Sequence, residues 1–258
     1  MKNAKHHTKS QNNKSIPGKS QGYWLYGIHS VEAALHNSER TIYRIIATEA
    51  TAKTLLPYCN NRNITPVIAS PSEIVALLPT GAVHQGIAAE VKFLPATSLE
   101  EYLFQTRDAK KPLLVLDQVT DPHNVGAMLR SAAAFGAGAV ITTKDNAPTE
   151  SATMAKASSG GIEIVPFIHV TNLVQALKAL KTAGYWCIGL DGEAKQTLKQ
   201  TKLGNDTAFI LGGEGQGLRR LTLEHCDMIV KLPISSQMES LNVSNAAAIA
   251  LYELVCRN

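Results

Sequence analysis

The sequence predicts an α/β protein in two parts: a small α/β domain over residues 23–94 and a larger, mostly parallel-sheet domain over residues 112–258, with helices on both faces of the sheet. Three observations carry this. After Pro112, short uninterrupted apolar runs alternate with longer helical segments, the pattern of strands buried on both faces. Before Leu94 the alternation is shorter and more polar. Between the two, residues 95–111 read as a linker.

In the small domain, Ser30 is placed to cap a helix running to about Asn37, and Tyr43 to Ala47 reads as a strand. A helix from Thr51, a strand after Pro66, a helix near Ser72 to Leu78 and a strand over Gly86 to Phe93 follow. Ser98 and Glu101 form a Ser-x-x-Glu capping box that starts a short helix in the linker. The six apolar runs of the large domain are Leu113–Leu116, Ala139–Thr142, Ile162–Phe167, Trp186–Leu190, Ala208–Leu211 and Met228–Leu232.

The chain has 258 residues and a net charge of +4. Five lysines and no acid lie in residues 1–22, and removing those five leaves −1 for the rest. The basic excess therefore belongs to a polar tail that reads as disordered. It is either a solubilising extension or an RNA tether. No apolar run approaches the roughly 20 residues that span a bilayer, and the N-terminus lacks the apolar core of a signal peptide, so a cytoplasmic protein with no membrane partner is expected. Cys59, Cys187, Cys226 and Cys256 are widely spaced and never form a C-x-x-C pair, which reads as buried thiols rather than a zinc or disulfide framework.

Three segments concentrate polar groups where buried strands end. Leu113–Leu116 delivers Asp117, then Asp121-Pro122 turns the chain and Asn124 opens a helix carrying Arg130. Strand carboxyl ends are where open α/β sheets bind ligands. Asn124 is also suited to be a helix cap, and Arg130 to pair with a structural carboxylate. The second segment, Gly212-Gly213-Glu214-Gly215-Gln216-Gly217-Leu218, lets the backbone approach a ligand. It is no dinucleotide fingerprint, because with Gly213 and Gly215 as the first pair the third glycine would fall at Leu218. That disfavours a nicotinamide-dependent oxidoreductase. The third supplies Ser240, Asn242, Ser244 and Asn245 just before a helix over Ala246 to Val255. One cap does not require four polar residues, and the excess points to a binding loop.

Taken together, the segments resemble the three motifs of the SpoU (TrmH-like) branch of the SPOUT methyltransferases. Asp121-Pro122-His123-Asn124-Val125-Gly126 with Arg130-Ser131-Ala132 is similar to the first, the glycine segment to the second, and Leu232-Pro233 with Ser240-Leu241-Asn242-Val243-Ser244 to the third. Tyr26 to Leu35 and His84 to Ala89 resemble the L30e-like substrate-binding domain of the bacterial 23S ribosomal RNA guanosine 2′-O-methyltransferases. Gly213 and Asn245 depart from the usual residues, the second at a helix expected to pack on the cofactor.

The resemblance implies a trefoil knot, a homodimer, and transfer of a methyl group from S-adenosylmethionine, without a metal, to a guanosine ribose in 23S ribosomal RNA or a large-subunit precursor. It implies that Gly212, Leu232 and Leu241 contact the cofactor and that the alanines after Leu241 leave room for it. Asn124, Arg130, Glu214, Ser240 and Asn242 would serve catalysis. A tRNA ribose methyltransferase of the same branch is disfavoured by the ribosomal-type N-terminal domain. A catalytically inactive RNA-binding relative is disfavoured by the intact Asn124, Arg130, Glu214 and Asn242.

Overall fold

The computed structural model describes residues 22–213 and 215–257. The tail before Gly22, and Glu214, lie outside the described residues.

The N-terminal part runs β1 (Tyr23–Tyr26), α1 (Ile28–His36), β2 (Ile42–Ala47), α2 (Glu49–Asn61), β3 (Val67–Ile68), α3 (Pro71–Val75) and β4 (Ile87–Val91). Its four-stranded sheet has the order β1-β4-β2-β3, with β4 antiparallel to both neighbours and β3 parallel to β2. Helix α1 starts two residues ahead of Ser30, because Gly27 turns the chain with a φ of 88°. Ser30 is instead buried in the helix and donates its hydroxyl to the Ala155 carbonyl at 3.3 Å. The linker helix α4 (Leu99–Gln105) begins as expected, with the Ser98 hydroxyl accepting from the Glu101 amide at 3.1 Å.

The remaining elements are β5 (Leu113–Asp117), α5 (Pro122–Ala134), β6 (Ala139–Thr143), α6 (Ala152–Ser158), β7 (Phe167–Val170), α7 (Leu173–Thr182), β8 (Trp186–Leu190), β9 (Gln196–Thr197), β10 (Thr207–Gly212), α8 (Arg220–His225), β11 (Met228–Lys231) and α9 (Val243–Val255). They form a seven-stranded sheet of order β7-β6-β5-β10-β8-β11-β9 in which every pairing is parallel. Alternate residues of β5 face opposite layers. Leu114 and Leu116 pack with Val125, Leu129, Ala247 and Leu251 of α5 and α9, in a core continuous with that of the N-terminal sheet. Leu113 and Val115 pack with Leu99, Leu173 and Leu177 of α4 and α7.

One of the six apolar runs is not a strand as expected. Gly160 turns with a φ of 94°, Gly161–Glu163 forms a 3-10 turn, and β7 begins only after Pro166. Local apolarity misreads this stretch because Glu163 has a distant partner. The Arg40 side chain is fully buried; its Nη2 lies 2.7 Å from Glu163 Oε1 and its Nη1 lies 2.6 Å from Glu150 Oε1. Arg40 Nη1 also donates to the Lys92 carbonyl at 2.6 Å, and the Tyr23 hydroxyl donates to Glu150 Oε1 at 2.6 Å. Burial and the adjacent Glu150 push the Tyr23 phenol far above its ordinary range. One cation thus ties the N-terminal sheet to two carboxylates of the large domain.

Cys59 and Cys187 are buried and Cys226 is half-buried, but Cys256 is exposed in the last turn of the chain, contrary to expectation. Burial pushes the Cys187 and Cys226 thiols up to about 12, which keeps them protonated at neutral pH. Among the described residues, no helix is long and apolar enough to cross a membrane, and no group of three or more His, Cys, Asp or Glu is placed to hold a metal.

Removing one partner of a buried ion pair strands the others in a poorly solvated setting. Arg40→Ala is therefore expected to lose about 3–5 kcal/mol in chemical denaturation. A loss under about 1 kcal/mol, the range of exposed pairs, would contradict this role for Arg40.

Candidate active site

The glycine segment turns back on itself as β10 ends. The Gly213 amide donates to the Asp117 carbonyl at 2.9 Å and the Gly217 amide to the Gly213 carbonyl at 3.1 Å. A Cβ on Gly212 would lie 2.1 Å from the backbone C and O of Gly217, so this approach admits only glycine. At Gly215 and Gly217, where φ is positive, a Cβ would meet nothing within 4 Å, and the backbone there is open.

This turn, the carboxyl ends of β8 and β11, and the segment leading into α9 enclose a cavity of about 520 Å³, within the usual range for small-molecule sites. Gly212, Leu232 and Leu241 all line it, together with Ser240 and Asn242. Four further lining residues were not singled out from the sequence: Asp191, Gly192, Ile234 and Glu239. The strand-end rule applied to β5 and β10 would have found Asp191, which follows β8 directly. The cavity sets apolar walls (Leu190, Leu232, Ile234, Leu241, Val243, Ala246) against the carboxylates of Asp191 and Glu239 and the open glycine backbone. Such a lining suits a flat heterocycle joined to a cationic, hydrogen-bonding tail.

Asn124 is not the cap of α5. Asp121 caps it, its side chain accepting from the His123 amide at 2.9 Å. Asn124 is buried and accepts from Asn242 Nδ2 at 3.0 Å, which joins the first segment to the third. Asn242 also caps α9, its Oδ1 accepting from the Ser244 amide at 2.9 Å. Asn245 is exposed and does not line the cavity, which removes the expected disturbance of helix packing. Of the alanines that follow Leu241, only Ala246 lines the cavity; Ala247 is fully buried in the core, so the alanines serve packing more than they leave room.

Arg130 is not brought to this cavity. It is exposed on α5 and lines a separate groove of about 660 Å³ with His29, His36 and Asn37 of the N-terminal part and Ser159 after α6. It makes no ion pair among the described residues: Glu163, which also lines the groove, is engaged by Arg40. Glu214 lies outside the described residues.

The model of the SpoU rRNA methylase family matches residues 111–252, and that of the RNA 2′-O ribose methyltransferase substrate-binding domain matches residues 24–96. The chain belongs to the SpoU rRNA methylase family. The particular relatives it matches are 23S rRNA (guanosine-2′-O-)-methyltransferases RlmB. That of Pseudomonas putida is 40% identical over 238 residues, covering 90% of this chain and 95% of the relative. That of Salmonella typhi is 42% identical over 238 residues, covering 90% and 97%. Among solved structures, the SpoU methyltransferase AviRb from Streptomyces viridochromogenes has a TM-score of 0.75 at 21% identity, covering 91% of this chain and 89% of that one. An RNA 2′-O ribose methyltransferase has a TM-score of 0.76 at 23% identity, covering 92% and 89%. These two show the fold. The family read from the three motifs, and the parallel-sheet α/β fold with its N-terminal domain, are borne out.

Gly212→Ala forces the turn apart and is expected to cost about 1–3 kcal/mol, as other overpacking changes do. Gly192→Ala places its Cβ in open space and should stay within about 0.5 kcal/mol of the unaltered chain. Thermal melts of the two variants compare these costs, and equal melting temperatures would contradict the close approach.

Proposed function

We propose that this chain transfers the methyl group of S-adenosylmethionine to the ribose 2′-hydroxyl of a guanosine in 23S ribosomal RNA, in its free form or in a large-subunit precursor. One observation carries the reading: Gly212, Leu232 and Leu241, drawn from separate segments, line a single cavity at strand carboxyl ends. The extended similarity to RlmB relatives supports this target over tRNA.

The cavity fits the cofactor. Leu232, Leu241 and Ile234 would offer apolar walls to an adenine, the open backbone at Gly215 and Gly217 would offer hydrogen-bonding groups, and the carboxylates of Asp191 and Glu239 would offset the cofactor's positive charge. When bound, S-adenosylmethionine supplies an electrophilic methyl on a sulfonium, and the protein must align the 2′-oxygen and help its proton leave. The reaction needs no metal. Arg130 is a poor base because guanidinium stays protonated; it holds an RNA phosphate and polarises the hydroxyl. Its groove adjoins α1, so RNA gripped by the N-terminal domain would pass Arg130 on the way to the reacting centre. The Asn124–Asn242 pair ties the helix carrying Arg130 to the cavity-lining segment before α9, Ser240 adds a hydrogen bond, and Glu214 holds the substrate.

Because Arg130 does not line its own cofactor cavity, we assign the completed RNA site to a homodimer. Helix α9 exposes Ile249 (43%), Tyr252 (55%) and Val255 (46%), an apolar surface suited to a second copy. The knot of the SPOUT family and a cytoplasmic location belong to the same reading.

Mapping 2′-O-methyl groups in 23S RNA and tRNA from a deletion strain tests the function. One 23S guanosine should lose its methyl and regain it with the intact gene but not with Arg130→Ala; loss confined to tRNA would overturn the substrate. In vitro, Arg130→Ala is expected to lose at least about a hundredfold in methyl transfer while still binding cofactor, and near-normal turnover would refute its role. Sedimentation should give a dimer at micromolar concentration, and a stable monomer would count against the shared site.

A further inference from the structure

Asp117 is the last residue of β5, is fully buried, and stands in register with Gly212 of β10. Its carboxylate accepts three hydrogen bonds: from the Arg219 amide at 3.1 Å, from Arg219 Nε at 2.7 Å and from the Thr222 hydroxyl at 2.7 Å. Its carbonyl accepts a fourth, from the Gly213 amide at 2.9 Å. A single residue therefore grips the glycine turn where it leaves the sheet and where it returns.

Within the turn, one further backbone hydrogen bond, from the Gly217 amide to the Gly213 carbonyl at 3.1 Å, closes the loop, but no side chain of the glycines holds it. Gly215 and Gly217 have positive φ and face open space, and glycine has the most conformational freedom to lose on ordering. A buried carboxylate, by contrast, is costly unless its oxygens are satisfied. Those partners arrive only when the chain returns in this path, bringing Arg219 and then Thr222 back to the end of β5. The Arg219 side chain is 47% exposed, so its value lies in where it holds the backbone rather than in core packing. Asp117 thus holds both ends of the glycine run that forms one wall of the cavity, lined by Gly212, Gly213, Gly215 and Gly217.

We propose that Asp117 is a positioning residue that pre-forms the glycine turn for cofactor binding, acting through Arg219 and Thr222 without touching the cofactor. The proposal rests on the assignment of this cavity to S-adenosylmethionine. Pre-forming a loop raises affinity by removing its ordering cost from the binding step.

The test uses the full chain with Asp117→Asn, Arg219→Met and Thr222→Val, S-adenosylhomocysteine titrated calorimetrically, and hydrogen exchange of the ligand-free protein. Asp117→Asn is expected to weaken S-adenosylhomocysteine binding by about tenfold or more, and Arg219→Met and Thr222→Val by smaller factors in the same direction. Exchange should quicken at the amides of Gly213, Gly217 and Arg219 while β6 keeps its protection. If Asp117→Asn fails to fold, the two milder variants decide. Affinity within about twofold of the unaltered chain in every folded variant would overturn the proposal. So would faster exchange spread evenly over the sheet, which is the mark of a merely structural carboxylate. If the unaltered chain binds no S-adenosylhomocysteine, the assignment of the cavity fails, while selective exchange still reports whether Asp117 holds the turn.

Discussion

The geometry of the molecule turns on a guanidinium with no access to water. Arg40 bridges Glu150 and Glu163 across the two parts of the chain, and Glu163 also lines the groove containing Arg130. Two sheets joined only by a linker would be free to rotate against each other. The ion pairs, the Tyr23 hydroxyl on Glu150 and the Ser30 hydroxyl on Ala155 remove that freedom. Burial alone would lower the affinity of Arg40 for its proton, but the hydrogen bond and charge of Glu163 outweigh it and hold the side chain charged. The N-terminal part is therefore built into the wall of the groove and is not a mobile attachment.

The strands of the large sheet were legible because β5, β6 and β10 are buried along almost their whole length, and burial on both faces leaves an uninterrupted apolar run. The run over Ile162 to Phe167 has the same texture and a different outcome. Gly160 and Gly161 break the extended chain, and Glu163 is claimed by Arg40 from 123 residues away. Nothing within a local window carries that pairing. The same distance hides Arg40 itself, which the sequence presents as one more loop cation.

At the site, legibility followed chemistry that is local. Gly212 ends β10, Leu232 follows β11 and Leu241 precedes α9, each in a motif that can be read along the chain, and the three converge on one cavity. Asp191 escaped because the strand-end rule was applied to β5 and β10 and not to β8, and Glu239 because it stands one residue ahead of the Ser240–Ser244 motif; both line the cavity. Asn124 was ambiguous for a related reason: an asparagine at a helix start is a good cap. Only the fold shows that Asp121 has taken that task, leaving Asn124 to meet Asn242.

That meeting narrows what evolution or engineering can place at position 242. Helix starts accept Ser, Thr, Asp and Asn almost interchangeably, and by that standard the residue is replaceable. Here the amide oxygen serves Ser244 while the amide nitrogen serves Asn124, on opposite sides of one planar group. An aspartate would cap equally well and present an oxygen to the oxygen of Asn124; a serine would cap without spanning the gap. The tolerance of the position is thus that of a two-ended connector, and a substitution judged conservative by helix chemistry would remove the polar link between α9 and α5 while leaving their apolar packing.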